Sequence, residues 1–126
     1  GFNEGPVKNC YAEGNAAGEK YVGGLAAYNK GKIIKCYTSR ASTEGTEYIG
    51  GLVGINHKKI KESYTKNNVK GNLYVGGLVG LNDGLTVNSY AISRVQGVEK
   101  ESKALGGLAG CNYKDGKIKK PMLLVK

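Results

Sequence analysis

Apolar residues and glycines recur along this chain in blocks, and their spacing is not that of an amphipathic helix. One block of eight residues occurs four times, at 22–29 (VGGLAAYN), 49–56 (IGGLVGIN), 75–82 (VGGLVGLN) and 105–112 (LGGLAGCN). The first glycines of the copies are residues 23, 50, 76 and 106, which gives periods of 27, 26 and 30 residues. Short apolar segments punctuated by glycine at this interval predict strands in a tandem repeat.

A second block follows the first three copies and ends in a tyrosine eight residues after each asparagine. It reads IIKCY at 33–37, IKESY at 60–64 and TVNSY at 86–90, with an earlier copy at 7–11 (VKNCY) and a degraded one at 118–122 (IKKPM). The chain thus holds about four units and starts and stops within a unit. We interpret residues 1–126 as a single repeat domain and as a fragment of a larger protein.

The repeat predicts an all-β fold, namely a parallel β-solenoid (a right-handed β-helix) of about four coils of 26–30 residues. A unit of this length cannot bury an apolar face alone, whereas units stacked about 4.8 Å apart share one core. Residues one period apart then form rows along the solenoid. We expect leucines in the core, asparagines at a turn with amides bonded to one another, and stacked tyrosines with the apolar body inward and the hydroxyl at a polar edge. These rows are Leu25, Leu52, Leu78 and Leu108; Asn29, Asn56, Asn82 and Asn112; and Tyr11, Tyr37, Tyr64 and Tyr90.

The segment Leu-Val-Gly-Ile-Asn departs from the in-and-out alternation of a half-buried strand, because both its odd and its even positions are apolar or glycine. Either a bulge at the Gly-Gly pair or burial on both faces explains this departure. The Gly-Gly pair itself is expected to let the backbone bend where a Cβ would clash, or to adopt positive φ.

The recurring G-G-L-[AV]-[GA]-x-N block, followed by [CS]-Y-[AT], resembles the GLUG repeat family over nearly the whole chain, from about Val7 to Ile118. The chain departs from the pattern at Ala27, which replaces the last core glycine, in four extra residues before Leu105, and in the missing final Ser-Tyr. The resemblance implies β-helical stalks or binding modules in bacterial surface adhesins and in non-catalytic regions of immunoglobulin-A-specific metallo-endopeptidases. It implies an extracellular setting and no catalytic residues.

Composition adds a charge pattern to this fold. The net charge is +9, which favours anionic partners. Lysines gather between the asparagine and the Ser-Tyr of the units, and stacking predicts a basic stripe, which Asp83 interrupts in the third unit. Either the stripe serves solubility and edge protection, or it binds a polyanion such as a sulfated glycan or teichoic acid. Nucleic acid is a weaker alternative, because the tyrosines that would stack on bases are expected to stack on one another in the ladder. The predicted stripe contains Lys30, Lys32, Lys35, Lys58, Lys59, Lys61, Lys114, Lys117, Lys119 and Lys120.

Cys10 and Cys36 occupy the same repeat position, so stacking brings their Cα atoms within the range of a disulfide. The alternative is that this row requires a small buried side chain, because Ser63 and Ser89 continue it. Both interpretations stay open at the level of the sequence.

Nothing in the sequence indicates catalysis or a cofactor. His57 is the one histidine and lies in a charged turn, so it cannot build a metal site by itself. The glutamates lie mostly in variable turns, and the glycine blocks lack the helix that follows a phosphate loop. We predict no enzyme activity, no metal and no cofactor. No window approaches the ~18 apolar residues that span a bilayer, so we also predict no membrane insertion.

The predicted function is that of a non-catalytic binding or spacer module of a bacterial cell-surface or secreted protein, with a role in adhesion. Its expected partners are neighbouring domains of the same chain and a host protein or an anionic glycan. The alternative is a substrate-recognition or positioning region of an immunoglobulin-A-specific metalloprotease. A carbohydrate-active enzyme on a β-helix is a third possibility of a different class.

Overall fold

The computed structural model describes residues 1–97, 103–114, 116–119 and 122–125, and the regular structure of these residues is entirely β-strand. An incomplete coil contains β1 (Phe2–Asn3), β2 (Pro6–Lys8), β3 (Tyr11–Glu13) and β4 (Ala16–Ala17). Coil 1 contains β5 (Lys20–Gly23), β6 (Ala26–Asn29), β7 (Lys32–Ile34) and β8 (Tyr37–Glu44). Coil 2 contains β9 (Glu47–Gly50), β10 (Val53–Asn56), β11 (Lys59–Lys61) and β12 (Tyr64–Gly71). Coil 3 contains β13 (Leu73–Gly76), β14 (Val79–Asn82), β15 (Leu85–Val87), β16 (Tyr90–Ser93) and β17 (Val95–Gly97). Coil 4 contains β18 (Lys103–Gly106), β19 (Ala109–Asn112), β20 (Lys117–Lys119) and β21 (Met122–Val125).

Corresponding strands of successive coils pair in parallel and form four sheets. Sheet A has the order β1-β6-β10-β14-β19, sheet B β2-β7-β11-β15-β20, and sheet D β5-β9-β13-β18. Sheet C has the order β3-β8-β12-β16-β21, with β4 paired to β8 and β17 paired to β12. Like residues of the repeat face each other, as Val53 faces Val79, so the predicted β-solenoid of about four coils is confirmed.

The interior is divided into two apolar cores. The larger core lies between sheets A, B and C and includes Val53, Ile60 and Ala91. The smaller one contains Val22, Ile49, Val69 and Val75, and lies between sheet D and the second half of sheet C. Sheet A therefore has the larger core on one face and sheet D on the other. All four residues of β10 are buried, so burial on both faces accounts for the lost alternation in the sequence.

Close backbone contacts explain the Gly-Gly pair. A Cβ on Gly50 would lie 2.0 Å from the carbonyl oxygen of Val53, and one on Gly51 would lie 2.2 Å from the carbonyl oxygen of Gly77 in the next coil. Neither glycine has a positive φ. Of the two predicted reasons for the pair, the steric one therefore applies, since any larger residue would push the coils apart.

The predicted asparagine row forms a ladder of hydrogen bonds inside the turn between sheets A and B. The Nδ2 atom of Asn29 donates to Oδ1 of Asn56 over 2.8 Å, Asn56 donates to Asn82 over 2.8 Å, and Asn82 donates to Asn112 over 2.9 Å. Asn3 adds a member that the sequence pattern missed, because its Nδ2 donates to Oδ1 of Asn29 over 2.8 Å. The row is confirmed, and its three central members are fully buried.

The predicted leucine row is also confirmed. Leu52 and Leu78 are fully buried, Leu108 is nearly so, and Leu25 packs against the same core. The backbone N–H of Leu52 donates to the carbonyl oxygen of Leu78 over 2.9 Å, so these two residues lie directly over each other. Rows in the sequence alignment are therefore rows in space.

The predicted tyrosine row stacks as expected but faces the other way. Ring centroids of Tyr11, Tyr37, Tyr64 and Tyr90 are 5.3, 4.9 and 4.9 Å apart, with planes within 10° of parallel. The expectation of an apolar body turned inward is wrong, because the next residue of each strand, as in Thr65 after Tyr64, faces the core instead. Tyr11 is 62% exposed.

We predict that Asn56→Ala destabilises the solenoid by about 3 kcal/mol, because it leaves the buried amide of Asn29 and the buried side-chain oxygen of Asn82 without their ladder partner. Urea unfolding followed by circular dichroism measures the loss. The matched control is Asn68→Ala, at an exposed position of β12, with an expected change below about 0.5 kcal/mol. Equal losses in the two variants would show that the ladder does not stabilise the fold.

Candidate functional site

Sheet B gathers lysines from several coils on its outer face and places those of coils 1 and 2 directly in register. In β11, Ile60 is buried in the core, and the residues on either side, Lys59 and Lys61, point to the opposite face. Lys59 is paired with Lys32, whereas in the neighbouring row Lys8, Lys61 and Lys119 alternate with Ile34 and Val87. We name this surface the lysine face. Its strand residues are Lys8, Lys32, Lys59, Lys61, Lys117 and Lys119, and its turn residues are Lys30, Lys35, Lys58 and Lys114.

The lysine face corresponds to the predicted basic stripe with small differences. Lys8 belongs to it, although the sequence analysis left this residue out, and Lys120 lies outside the described residues. Coil 3 interrupts it with Leu85 and Val87, which pair with Lys59 and Lys61. The interruption follows from the sequence, because the third unit has an apolar residue where the second has a lysine.

Among the described residues, one carboxylate is recorded in an ion pair with a lysine of this face. The Nζ atom of Lys35 lies 3.9 Å from Oε2 of Glu62, and both side chains are exposed, so the pair contributes little to stability. The Nζ atom of Lys30 lies 5.4 Å from the centroid of the Tyr28 ring, a cation–π distance. The face consequently keeps most of its charge available to a ligand.

At one end of the lysine face the side chains enclose a cleft of about 380 Å³, which we call the lysine cleft. Lys8 comes from the incomplete coil, Lys30 and Lys32 from coil 1, and Lys58 from coil 2. Glu4 is the one carboxylate among the described lining residues. Ammonium groups that converge around a concave surface raise the local concentration of anions.

A second tyrosine ladder lies on sheet D, and the sequence analysis missed it. The rings of Tyr21 and Tyr48 are 5.1 Å apart and those of Tyr48 and Tyr74 are 4.9 Å apart. The signal was present, because each tyrosine stands two residues before the Gly-Gly pair of its unit. Burial raises the pKa of Tyr48 above the usual range of a phenol.

This second ladder forms one wall of a groove of about 520 Å³ between sheets D and A, which we call the aromatic groove. The opposite wall is a row of residues on sheet A that faces this ladder, and His57, Asp83 and Tyr113 lie at the edge of that wall. That row contains Tyr28, Ile55, Leu81 and Cys111 in register.

His57 belongs to this groove rather than to a metal site. Its Nδ1 atom lies 3.1 Å from Oδ2 of Asp83, and its ring lies 4.9 Å from that of Tyr28. Within the described residues, no cluster of three His, Cys, Asp or Glu side chains could hold a metal ion. No helix among the residues that the structure describes is long and apolar enough to cross a membrane.

The cysteine row contains free thiols, so the possible Cys10–Cys36 disulfide is not formed in this structure. Each side chain of the row instead bonds to the carbonyl oxygen two residues earlier: Cys10 to Lys8 over 3.1 Å, and Cys36 to Ile34 over 3.3 Å. The serines make the same bond, as Ser63 does to Lys61 over 2.9 Å. The alternative prediction of a row of small buried side chains is therefore correct for Cys36, Ser63 and Ser89.

The fold defines the class of this protein, which is a parallel β-solenoid repeat protein. No protein-family model, no curated protein and no solved structure matches the chain. The resemblance to the GLUG repeat family stays a prediction.

We predict that Cys36 resists alkylation in the folded protein. Burial raises the pKa of its thiol, and the thiolate is the form that reacts. In the Cys10→Ser/Cys111→Ser variant, iodoacetamide should modify Cys36 at least about tenfold more slowly before unfolding than after it. A variant that keeps the exposed Cys10 as its single cysteine is the control and should react readily when folded. A Cys10–Cys36 linkage in the peptide masses of the untreated protein would contradict the free-thiol arrangement.

Proposed function

We propose that this chain is a non-catalytic binding and spacer module of a bacterial cell-surface or secreted protein, and that its lysine face binds an anionic partner, of which an anionic glycan is the best candidate. The observation that carries the proposal is the clustering of lysines on the outer face of sheet B, where Lys32 and Lys59 pair directly and the lysine cleft adds Lys8, Lys30 and Lys58. Parallel strands are about 4.8 Å apart, so the positive charges of paired lysines are held close together and repel each other. Solubility alone does not require that arrangement.

The distribution of acids supports a ligand of negative charge. Glu13 and Glu44 lie on sheet C and Glu47 lies on sheet D, so these carboxylates are on other faces of the solenoid. Basic residues also lie on the other faces, as Lys66 and Lys70 do on sheet C, but there they share the face with two of these carboxylates. With a net charge of +9, the lysine face is therefore the one that attracts polyanions most strongly.

The spacer role is supported by the continuity of the fold. Sheets A, B and C run through the incomplete first coil and coils 1 to 4, and sheet D runs through coils 1 to 4. Each coil contacts only its neighbours, so a repeat array of this kind extends in one dimension by adding units. Such a rod separates what is attached to its two ends while presenting the same face along its length.

Adhesion and the extracellular setting rest on the resemblance to the GLUG repeat family and belong to the same proposal. The alternative role in an immunoglobulin-A-specific metalloprotease would use the same lysine face to position a substrate. The domains that accompany this chain in its parent protein distinguish the two, since a metalloprotease domain or a wall-anchoring signal would accompany one and not the other.

We predict that Lys58→Glu/Lys59→Glu/Lys61→Glu lowers the affinity for a sulfated glycan such as heparin by at least about tenfold, because it reverses the charge at the centre of the lysine face. The affinity of the unaltered protein should also fall steeply between about 0.05 and about 0.5 M salt. Isothermal titration calorimetry measures both effects.

The matched control is Lys66→Glu/Lys70→Glu/Arg94→Glu, which changes the net charge equally at exposed positions on the sheet C side. Its affinity should stay within about threefold of the unaltered protein, because its charges lie away from sheet B. An equal loss in both variants would mean that net charge alone attracts the polyanion. Heparin binding that survives reversal of the lysine face would refute the proposal.

We further predict that the protein releases no new reducing ends from sulfated or neutral polysaccharides. Glycosidases use a pair of carboxyl groups, whereas the described lining of the lysine cleft offers Glu4 alone and that of the aromatic groove offers Asp83 alone. A reducing-sugar assay against a protein-free blank checks this. Release above the blank would make the chain an enzyme.

A further inference from the structure

The aromatic groove runs along the solenoid axis and changes shape as it does so. Its ladder wall keeps a ring in coils 1, 2 and 3, namely Tyr21, Tyr48 and Tyr74. On the opposite side Tyr28 in coil 1 is followed by smaller side chains in the next three coils, Ile55, Leu81 and Cys111. The ring of Tyr28 meets that of Tyr21 edge to face at 6.2 Å and closes one end. The groove is therefore open alongside coils 2 to 4.

The backbone of the ladder wall is strained at each tyrosine. Tyr21, Tyr48 and Tyr74 have φ angles of 58°, 56° and 55°, in the left-handed region. A bulky side chain rarely adopts this conformation, for which glycine and asparagine are preferred, so each tyrosine is held there at an energetic cost. The other left-handed row, formed by Asn9, Lys35, Glu62 and Asn88, changes residue type from coil to coil. The tyrosine row keeps its residue type through coils 1, 2 and 3 despite the strain, and coil 4 has Ala104 at the corresponding position.

Glycines of sheet A allow the ladder wall to approach so closely. A Cβ on Gly54 would lie 2.8 Å from the carbonyl oxygen of Tyr48, and one on Gly80 would lie 2.6 Å from the backbone nitrogen of Ile49. The backbone of sheet D therefore rests on that of sheet A, and the tyrosine rings project beside Ile55 and Leu81 to form the groove. This wall is a rigid part of the fold, which preorganises the groove for a ligand.

The chemistry of the groove differs from that of the lysine face. Among its described lining residues, Asp83 is the one carboxylate, and its Oδ2 lies 3.1 Å from Nδ1 of His57. The remainder is phenol, aliphatic and thiol surface. At the rim, the Nζ atom of Lys20 lies 5.2 and 5.6 Å from the ring centroids of Tyr21 and Tyr48, with the Glu47 carboxylate nearby. A surface of this composition combines apolar contact with hydroxyl hydrogen bonding.

We propose that the aromatic groove binds an extended, uncharged glycan chain, as a second site that is independent of the lysine face. The tyrosines repeat every 4.9 to 5.1 Å along the axis, which is close to the length of one pyranose unit in an extended polysaccharide. Sugars beside coils 2 and 3 would thus meet the equivalent phenols of Tyr48 and Tyr74, and a C–H face would lie against the partly exposed Leu81. An uncharged chain also suits a groove lined mainly by uncharged side chains.

The test is a titration with four neutral oligosaccharides, namely cellohexaose, chitohexaose, xylohexaose and mannohexaose, followed by calorimetry. At least one should bind, with an affinity that changes less than about twofold between about 0.05 and about 0.5 M salt. Tyr48→Asn/Tyr74→Asn should weaken that binding about tenfold or more, because it removes two rings while asparagine tolerates the left-handed backbone. Leu81→Trp, which fills the groove and leaves both ladders in place, should weaken it as well.

The matched control is Tyr37→Asn/Tyr64→Asn, which removes two stacked rings from the ladder on sheet C and should leave glycan affinity unchanged. Circular dichroism verifies that each variant is folded. The charge-reversed Lys58, Lys59 and Lys61 variant should bind the neutral glycan normally, so this site and the lysine face succeed or fail separately. The proposal is overturned if none of the four glycans binds, if the groove variants bind as tightly as the unaltered protein, or if the control loses as much affinity.

Discussion

The buried asparagine ladder is the interaction on which the arrangement of the coils depends. An amide inside the protein needs partners for both its donor and its acceptor, and Asn56 finds them in Asn29 and Asn82. A slip of one residue between two coils would bury these groups unpaired and would turn every side chain of the strand to the opposite face. The ladder therefore favours one register, in which like residues lie over each other.

The same register has opposite energetic consequences for different rows. For Leu52 and Leu78 it is favourable, because apolar side chains of equal size fill the core without gaps. For Lys32 and Lys59 it is unfavourable, because equal charges are brought together. A fold that stacks identical units turns any repeated surface residue into a line, so a binding surface arises from repetition without a dedicated loop.

The two candidate surfaces differ because different corners of the coil carry them. Sheet B has one face in the core and one in solvent, which suits alternating lysine and isoleucine, as in Lys59 and Ile60. Sheet A is covered on both faces and needs glycine where sheet D rests on it, as at Gly54. A charged face and a mainly uncharged groove thus coexist on one rod, separated by the asparagine turn.

The sequence by itself determined which residues are neighbours along the axis, because a constant period leaves few ways to stack the units. Leu52 over Leu78, Asn56 over Asn82, and the interruption of the lysine stripe in coil 3 could all be predicted in this way. The direction of each row could not, because it depends on how the backbone turns at each corner. The tertiary structure alone decided that Tyr64 faces outward, that Cys36 bonds to a carbonyl oxygen rather than to Cys10, and that Tyr48 lines a groove. The physical reason is that left-handed residues and glycine contacts between sheets set these directions, and a repeat period carries no information about either.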